Sequence, residues 1–206
     1  MARSKSSQRW LKEHFSDAFV KQAQAEGLRS RAAFKLEELL ESDLRIRPGM
    51  TVIDLGAAPG GWSQMAVRWL KGQGRVIATD ILPITPLAGV EFLQGDFTEE
   101  AVLRALEAML NEAQVDLVLS DMAPNTTGVA GIDIPKSLYL AELARDFAQQ
   151  WLRPGGAYLV KLFQGSGTDE YLKDLRTRYS KVNLRKPAAS RSRSREIYAM
   201  ATGKRG

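Results

Sequence analysis

The chain has 206 residues, 44% of them hydrophobic, which suits one α/β domain with a short appendage and a full core. It has no Cys and a single His, His14. That excludes Cys-based zinc sites, thiol nucleophiles, Ser-His-Asp triads and pyrimidine C5 chemistry through a Cys adduct, and leaves acid–base work to Lys, Asp, Glu or Tyr. Lys and Arg number 29 against 24 Asp and Glu, a formal net charge of +5, and a basic domain suggests a polyanionic partner. No apolar run approaches the roughly 18 residues that span a bilayer, and Met1-Ala2-Arg3-Ser4-Lys5 lacks the apolar segment of a signal peptide. The reading is therefore a cytoplasmic protein with no membrane contact.

In chain order, residues 1–9 are polar and basic, and helical patterns follow at about 10–25 and 30–43. The second carries Ala33, Phe34, Leu36, Leu39 and Leu40 at helix spacing, with Ser30 as its N-cap. Pro48-Gly49 is a turn that opens the α/β body. Strands read at 51–55, 75–79, 90–94, 115–120, 156–162, 181–185 and 196–201, and helices at about 62–71, 99–111, 136–152 and 169–178. Short apolar strands between helices predict a mostly parallel seven-stranded sheet with helices on both faces, a Rossmann-like α/β fold. Lys186 to Arg195 has no helix pattern, so the last strand should return antiparallel. The organisation expected is a basic N-terminal extension with a helix over 1–29 and a single domain over 30–206.

The most informative stretch is Asp54-Leu55-Gly56-Ala57-Ala58-Pro59-Gly60-Gly61-Trp62-Ser63, between the first strand and a helix. Such a turn gathers backbone N–H groups at the carboxyl edge of the sheet, where a ligand with an anionic group is favoured. Ala58 stands where a dinucleotide fingerprint needs its second Gly, bulky Trp62 opposes close approach of a pyrophosphate, and no Gly-Lys-Ser/Thr follows to make a P-loop. A nucleoside ligand without a pyrophosphate fits better, with S-adenosylmethionine first and an NAD-type oxidoreductase as the competing reading. Four successive strands end in Asp54, Asp80, Asp96 and Asp121, which brings carboxylates to the same edge. Asp80 is placed to accept from ribose hydroxyls and Asp96 from an adenine amino group, with Phe97 as a ring neighbour and Trp62 as a wall for the methionine part.

Two lysines stand out. Lys161 lies in the buried-type strand Ala157-Tyr158-Leu159-Val160-Lys161-Leu162-Phe163, where a charge is costly unless paired or functional. Lys35 interrupts the apolar pattern of Arg31-Ala32-Ala33-Phe34-Lys35-Leu36; taken alone it reads as a solvated helix residue, and Glu196 alone as a strand-end charge. Together with Asp121 they resemble the Lys-Asp-Lys-Glu tetrad of S-adenosylmethionine-dependent RNA ribose 2′-O-methyltransferases. More narrowly, the chain resembles the bacterial FtsJ family, heat-shock methyltransferases of large-subunit ribosomal RNA. The similarity runs through Gly27-Leu28-Arg29-Ser30-Arg31-Ala32, the Gly-rich turn, Leu93-Gln94-Gly95-Asp96-Phe97, Ser120-Asp121-Met122-Ala123-Pro124-Asn125, Val160-Lys161-Leu162-Phe163-Gln164-Gly165, and Lys186-Pro187 to Ser194-Arg195-Glu196.

This resemblance implies S-adenosylmethionine as cofactor and methylation of a ribose 2′-hydroxyl, a uridine, in 23S ribosomal RNA. It implies no metal, Gly60, Trp62, Asp80, Asp96 and Asp121 as cofactor contacts, and Lys35, Asp121, Lys161 and Glu196 as catalytic residues. Lys161 is the candidate proton acceptor. Burial and the like charge of Lys35 favour its free amine, Asp121 and Glu196 favour the ammonium, and the alternative task is to orient the hydroxyl.

Basic residues gather around the tetrad, as phosphate binding requires. Arg29 and Arg31 precede Lys35, and Arg191, Arg193 and Arg195 precede Glu196, with Arg3, Lys5, Arg9 and Lys12 at the N-terminus. The expected partner is ribosomal RNA in the large subunit or its precursor, bound by a monomer. A ribosome assembly factor that keeps only a cofactor pocket is the non-enzymatic alternative.

Overall fold

A computed structural model describes residues 17–41, 44–191 and 194–206. Arg3, Lys5, Arg9, Lys12, His14, Arg193 and the first part of the expected 10–25 helix lie outside them. The elements in order are α1 (Ala18–Ala25), α2 (Ala32–Glu41), β1 (Thr51–Leu55), α3 (Gly61–Leu70), β2 (Arg75–Asp80), β3 (Val90–Gln94), α4 (Glu100–Leu110), β4 (Val115–Ser120), α5 (Ala130–Trp151), β5 (Leu152–Phe163), α6 (Thr168–Arg178), β6 (Tyr179–Arg185) and β7 (Glu196–Lys204).

The seven strands form one sheet in the order β3-β2-β1-β4-β5-β7-β6. β3, β2, β1, β4 and β5 run parallel, and β7 is antiparallel to both β5 and β6. The chain leaves β1 toward β2 and β3, then returns to place β4 on its other side. The crevice at the carboxyl ends of β1 and β4 is therefore a topological switch point, where open α/β sheets bind ligands.

Each sheet face buries its own apolar cluster. One joins Ile53, Ile77, Val118, Val160 and Ala199 to Leu106 and Leu110 of α4, Phe147 of α5 and Leu172 of α6. The other joins Val52, Leu117, Leu119, Leu159 and Met200 to Leu36 and Leu39 of α2 and Trp62, Met65, Ala66 and Leu70 of α3. The period-two alternation within each strand assigns the faces, and the spacing of Trp62, Met65, Ala66 and Leu70 gives α3 one apolar stripe. α1 belongs to this second cluster through Ala23, and the Phe19 and Phe34 rings lie 5.8 Å apart. Packing thus runs straight across the expected boundary between 1–29 and 30–206. The Ser30 hydroxyl accepts from Ala32 N at 3.3 Å, the capping role its sequence position predicts.

Two boundaries move most. α5 begins at Ala130, six residues before the expected start, and contains Pro135. Proline reads as a helix start, but here it is the sixth residue and forfeits the i→i−4 bond to Gly131 O, at a place where both residues are exposed. β5 begins at Leu152, because Leu152 pairs with Val115 and an irregularity in register absorbs Pro154-Gly155-Gly156 before Ala157 pairs with Leu117.

Candidate active site

The β1–α3 turn packs tightly against the end of β4. Gly56 has φ +79°, and a Cβ there would come within 2.8 Å of Met122 backbone and side chain. Gly56 and Ala57 both donate to the Thr79 carbonyl, and Asp121 N donates to Leu55 O. Beside this turn lies a cavity of about 760 Å³, lined among others by Gly56, Ala58, Thr79, Asp80, Asp96, Phe97, Asp121, Asn125, Tyr139 and Lys161. Asp80 accepts from Ala58 N and Leu82 N, both at 2.8 Å, and so ties the Gly-rich turn to the loop after β2. Asp96 accepts from the Thr98 N–H and hydroxyl at 2.9 and 2.7 Å. The Phe97 ring is mostly buried and meets Phe147 edge-on at 5.8 Å.

Three placements differ from expectation. The Trp62 side chain does not wall this cavity. It is buried on the α2 side, donates Nε1–H to Ala32 O at 2.7 Å and lies 5.9 Å from the Tyr198 ring. An indole one residue into a helix follows that helix's apolar stripe, and the stripe of α3 faces away from the ligand crevice. Gly60 does not line the cavity either; it sits under the Arg29 side chain. Asp54 also fails to reach the edge shared by Asp80, Asp96 and Asp121. It is the penultimate residue of β1, points into the sheet face and accepts from Ser63 Oγ at 2.6 Å. Its other oxygen has no partner. Complete burial pushes its carboxyl up to about 7 against the Ser63 hydrogen bond, and the charges of Asp121 and Asp80 add to the rise.

The four tetrad residues do come together, and a fifth residue joins them. β5 and β7 pair with Lys161 opposite Tyr198 and Phe163 opposite Glu196. Ser120 pairs with Val160, so Asp121 falls beside Lys161. Lys161 Nζ donates to the Asp121 carbonyl and to Asp121 Oδ1 at 2.9 Å. Tyr198 donates to the same Oδ1 at 2.8 Å and accepts from Lys35 Nζ at 3.1 Å. Lys35 Nζ closes the chain on Glu196 Oε1 at 2.7 Å. The order is Glu196–Lys35–Tyr198–Asp121–Lys161. Lys35 is thus no solvated helix residue: its side chain is 12% exposed, and that of Lys161 is 8%.

Burial works to raise Glu196, but the charge and hydrogen bond of Lys35, with Lys161 behind them, hold it below the ordinary carboxylate range. Burial, then the charges of Asp121 and Glu196, push Tyr198 well above its ordinary value, so it stays a neutral hydroxyl. Nothing in Arg195-Glu196-Ile197-Tyr198 marks the tyrosine as polar machinery. The available signal is its place two residues after Glu196, on the same face of the strand.

Lys35 and Glu196 line a second cavity of about 850 Å³, on the other side of this chain of contacts, together with Ser30, Arg31, Pro59, Asp133, Phe163, Arg191 and Arg195. Asp133, which sequence reasoning missed, accepts from Thr127 N at 2.8 Å, Thr127 Oγ1 at 3.0 Å and Gly128 N at 2.9 Å. These bonds hold its carboxyl low and order the loop between the two cavities. The expected phosphate contacts divide. Arg191 and Arg195 line the second cavity. Arg31 also borders it, but its guanidinium donates to Asp17 and to the Ala189 carbonyl, clipping α1 to the basic loop. Arg29 donates to three backbone carbonyls.

A nucleoside cofactor fits the first cavity. Asp80 and Asp96 present carboxylate oxygens there, Gly56 keeps the turn clear of side chains, and the buried Thr79 hydroxyl is without a protein partner. Among the described residues no group of three or more His, Cys, Asp and Glu is arranged to hold a metal ion.

The FtsJ-like methyltransferase family profile matches residues 28–204. The chain is 66% identical over 203 residues to ribosomal RNA large subunit methyltransferase E of Stenotrophomonas maltophilia, covering 98% of this chain and 97% of that protein. It is 63% identical over 204 residues to the protein of the same name in Xanthomonas campestris, covering 99% and 97%. Among solved structures, a Plasmodium falciparum protein described as a ribosomal RNA methyltransferase superposes with TM-score 0.78 at 30% identity, over 86% of this chain and 99% of that one. Human methyltransferase-like protein 13, solved with S-adenosylhomocysteine, shares the fold at TM-score 0.57 and 13% identity, over 83% and 79%.

Asp54 gives a direct test of the burial described here. Its carboxyl keeps its proton to about pH 7 in the folded chain and ionises near pH 4 when unfolded. The folded state therefore binds the extra proton between those values. The stability this contributes is full below about pH 4 and is lost as pH rises through 7. Urea unfolding at a series of pH values should show the wild type losing about 1 kcal/mol per pH unit relative to Asp54→Asn across pH 5 to 7. A constant difference between the two proteins means that Asp54 is ionised throughout.

Proposed function

The chain belongs to the FtsJ-like methyltransferase family, and on that premise we propose that it methylates a ribose 2′-hydroxyl of 23S ribosomal RNA, a uridine by family resemblance, in the large subunit or its precursor. The observation that carries this reading is the chain Glu196–Lys35–Tyr198–Asp121–Lys161 between two cavities, one bordered by carboxylates at strand ends and the other by arginines. The NAD-type and assembly-only readings give way to the family match. The reaction needs no compartment beyond the cytoplasm and no second copy of the chain, and we place a monomer there.

S-adenosylmethionine in the first cavity supplies a methyl group already activated on a sulfonium. The protein's tasks are to bring the 2′-oxygen into line and to take its proton. Two tetrahedral positions of Lys161 Nζ face Asp121, one toward the carbonyl and one toward Oδ1. The remaining position is left for the substrate hydroxyl. In the free amine that position is the lone pair, which would take the hydroxyl proton. Asp121 fixes the direction of the amine, and Tyr198 holds Asp121. Lys35 brings a positive charge from the opposite side, kept in place by Glu196. Arg191 and Arg195 border the chamber that receives the nucleotide and give phosphates their counter-charge.

Lys161→Ala should bind S-adenosylmethionine and ribosomal particles nearly as wild type while single-turnover methyl transfer falls about 10²–10⁴-fold or more. Lys161→Arg should not rescue, since a guanidinium accepts no proton at usable pH. Transfer within a few-fold of wild type would make Lys161 a structural lysine and overturn the tetrad assignment.

Tyr198→Phe removes two hydrogen bonds at the centre of the chain but keeps the ring. Methyl transfer should drop roughly thirtyfold, at about 1 kcal/mol for each of the two bonds, with cofactor affinity unchanged by calorimetry. An unaltered rate would limit the hydroxyl to packing.

Arg191→Ala combined with Arg193→Ala should weaken RNA binding, spare cofactor binding and flatten the dependence of log affinity on log salt by about 0.7–0.9 for each phosphate left without its arginine. Parallel salt slopes for variant and wild type would remove this loop from the phosphate path.

A further inference from the structure

Arg29 lies before α2, among the basic residues whose position suggests phosphate binding. Its surroundings assign it a different task. Nη1 donates to Pro59 O at 3.3 Å and to Thr85 O at 2.6 Å, and Nη2 donates to Pro86 O at 2.8 Å. Both N–H groups of Nη1 and one of Nη2 are thus engaged by backbone carbonyls. The Arg29 backbone is fixed as well: its N–H donates to Gln64 Oε1 at 2.9 Å, and Gln64 Nε2 donates to Gly27 O at 3.0 Å.

The acceptors belong to two separate segments. Pro59 is in the Gly-rich turn, and Thr85 and Pro86 are in the loop between β2 and β3. Asp80 joins the same two segments through Ala58 N and Leu82 N. The turn and the loop are therefore tied twice, by Asp80 accepting and by Arg29 donating. Gly60 fits beneath the Arg29 side chain with φ +102°, and a Cβ there would come within 3.1 Å of Arg29 Cδ and Nη1. Ala58, Asp80, Ile81 and Leu82 all line the cofactor cavity, with Ile81 53% and Leu82 58% exposed. Arg29 does not line it.

We propose that Arg29 is a positioning residue for cofactor binding. It latches the β2–β3 loop to the Gly-rich turn and so sets the spacing of Asp80 and Ala58 before the ligand arrives. A fork that bonds carbonyls on two segments does this by geometry; a single ammonium on a flexible stem reaches one segment at a time. This rests on the reading of the first cavity as the S-adenosylmethionine site.

The test measures S-adenosylmethionine affinity by calorimetry, RNA affinity against salt, and single-turnover transfer at saturating cofactor, for wild type, Arg29→Ala and Arg29→Lys. Arg29→Ala should weaken cofactor binding about tenfold, leave saturated transfer within a few-fold of wild type, and keep RNA affinity and its salt slope. Arg29→Lys should recover cofactor affinity only in part. Amide hydrogen exchange over residues 81–89 should quicken in Arg29→Ala without any ligand, which reads the latch independently of the cofactor. If Arg29→Ala does not fold, Arg29→Lys carries the same measurements. Wild-type cofactor affinity and wild-type exchange in a folded variant overturn the proposal. So does weakened RNA affinity with a flatter salt slope, restored by Lys. A wild type that binds no S-adenosylmethionine overturns the functional reading instead, and the exchange rates then decide the latch alone.

Discussion

Lys161 faces Tyr198 across the antiparallel pairing of β5 and β7, and the polar chain from Glu196 to Asp121 is built on that pair. Below it, the same sheet face is apolar: Leu159 beside Met200, and Leu117 and Leu119 on β4. At the carboxyl edge the row changes character, and Asp121, Lys161, Tyr198 and Glu196 take the positions that hydrophobic side chains hold further down. Two lysines and two carboxylic side chains thus share a mostly water-excluded layer. Desolvating such groups costs more than a surface ion pair returns, and removing one member leaves the others uncompensated. This arrangement makes sense for chemistry at that edge more than for stability.

Lys35 reaches the cluster from outside the sheet, so α2 must be held in register with β7. Trp62 does this in part: its indole N–H holds the Ala32 carbonyl at the start of α2, three residues before Lys35, while its ring packs near Tyr198. Arg31 adds a second restraint by joining Asp17 at the start of α1 to the basic loop before β7. Residues before the parallel sheet are therefore part of the site's frame. The Gly-rich turn links both halves, since Gly61 and Trp62 begin the helix that packs on α2 while Gly56 and Ala58 border the cofactor cavity.

Much of this was legible in the residues. The strands at 51–55 and 115–120 coincide with β1 and β4, because a parallel strand buried on both faces leaves a short apolar run, and 90–94 coincides with the half-exposed edge strand β3, which Gly89 and Gly95 bound. Asp80, Asp96 and Asp121 reach one cavity because each stands at or just past the carboxyl end of a parallel strand of one sheet. Asp54 does not follow them, because it is level with Ala78 and Leu119, two residues before Asp80 and Asp121, and so lies one full strand repeat below the edge. Trp62 and Arg29 were read by residue type and neighbourhood, but their directions are set by α2 packing and by a loop that the chain reaches only after β2.

The sequence by itself determined the alternation of strands and helices, the Gly-rich turn, the carboxylates at strand ends, and the two lysines whose cost in apolar surroundings marked them out. Those are local properties, carried by periodicity and by the penalty for burying a charge. The tertiary structure decided that Tyr198 bridges Lys35 and Asp121, that Lys161 and Lys35 open into different cavities, and that Arg29 and Arg31 bond carbonyls and a carboxylate within the fold. Contacts between elements far apart in sequence depend on strand order, register and helix placement together. Each is a relation between segments, so no single segment's pattern contains it.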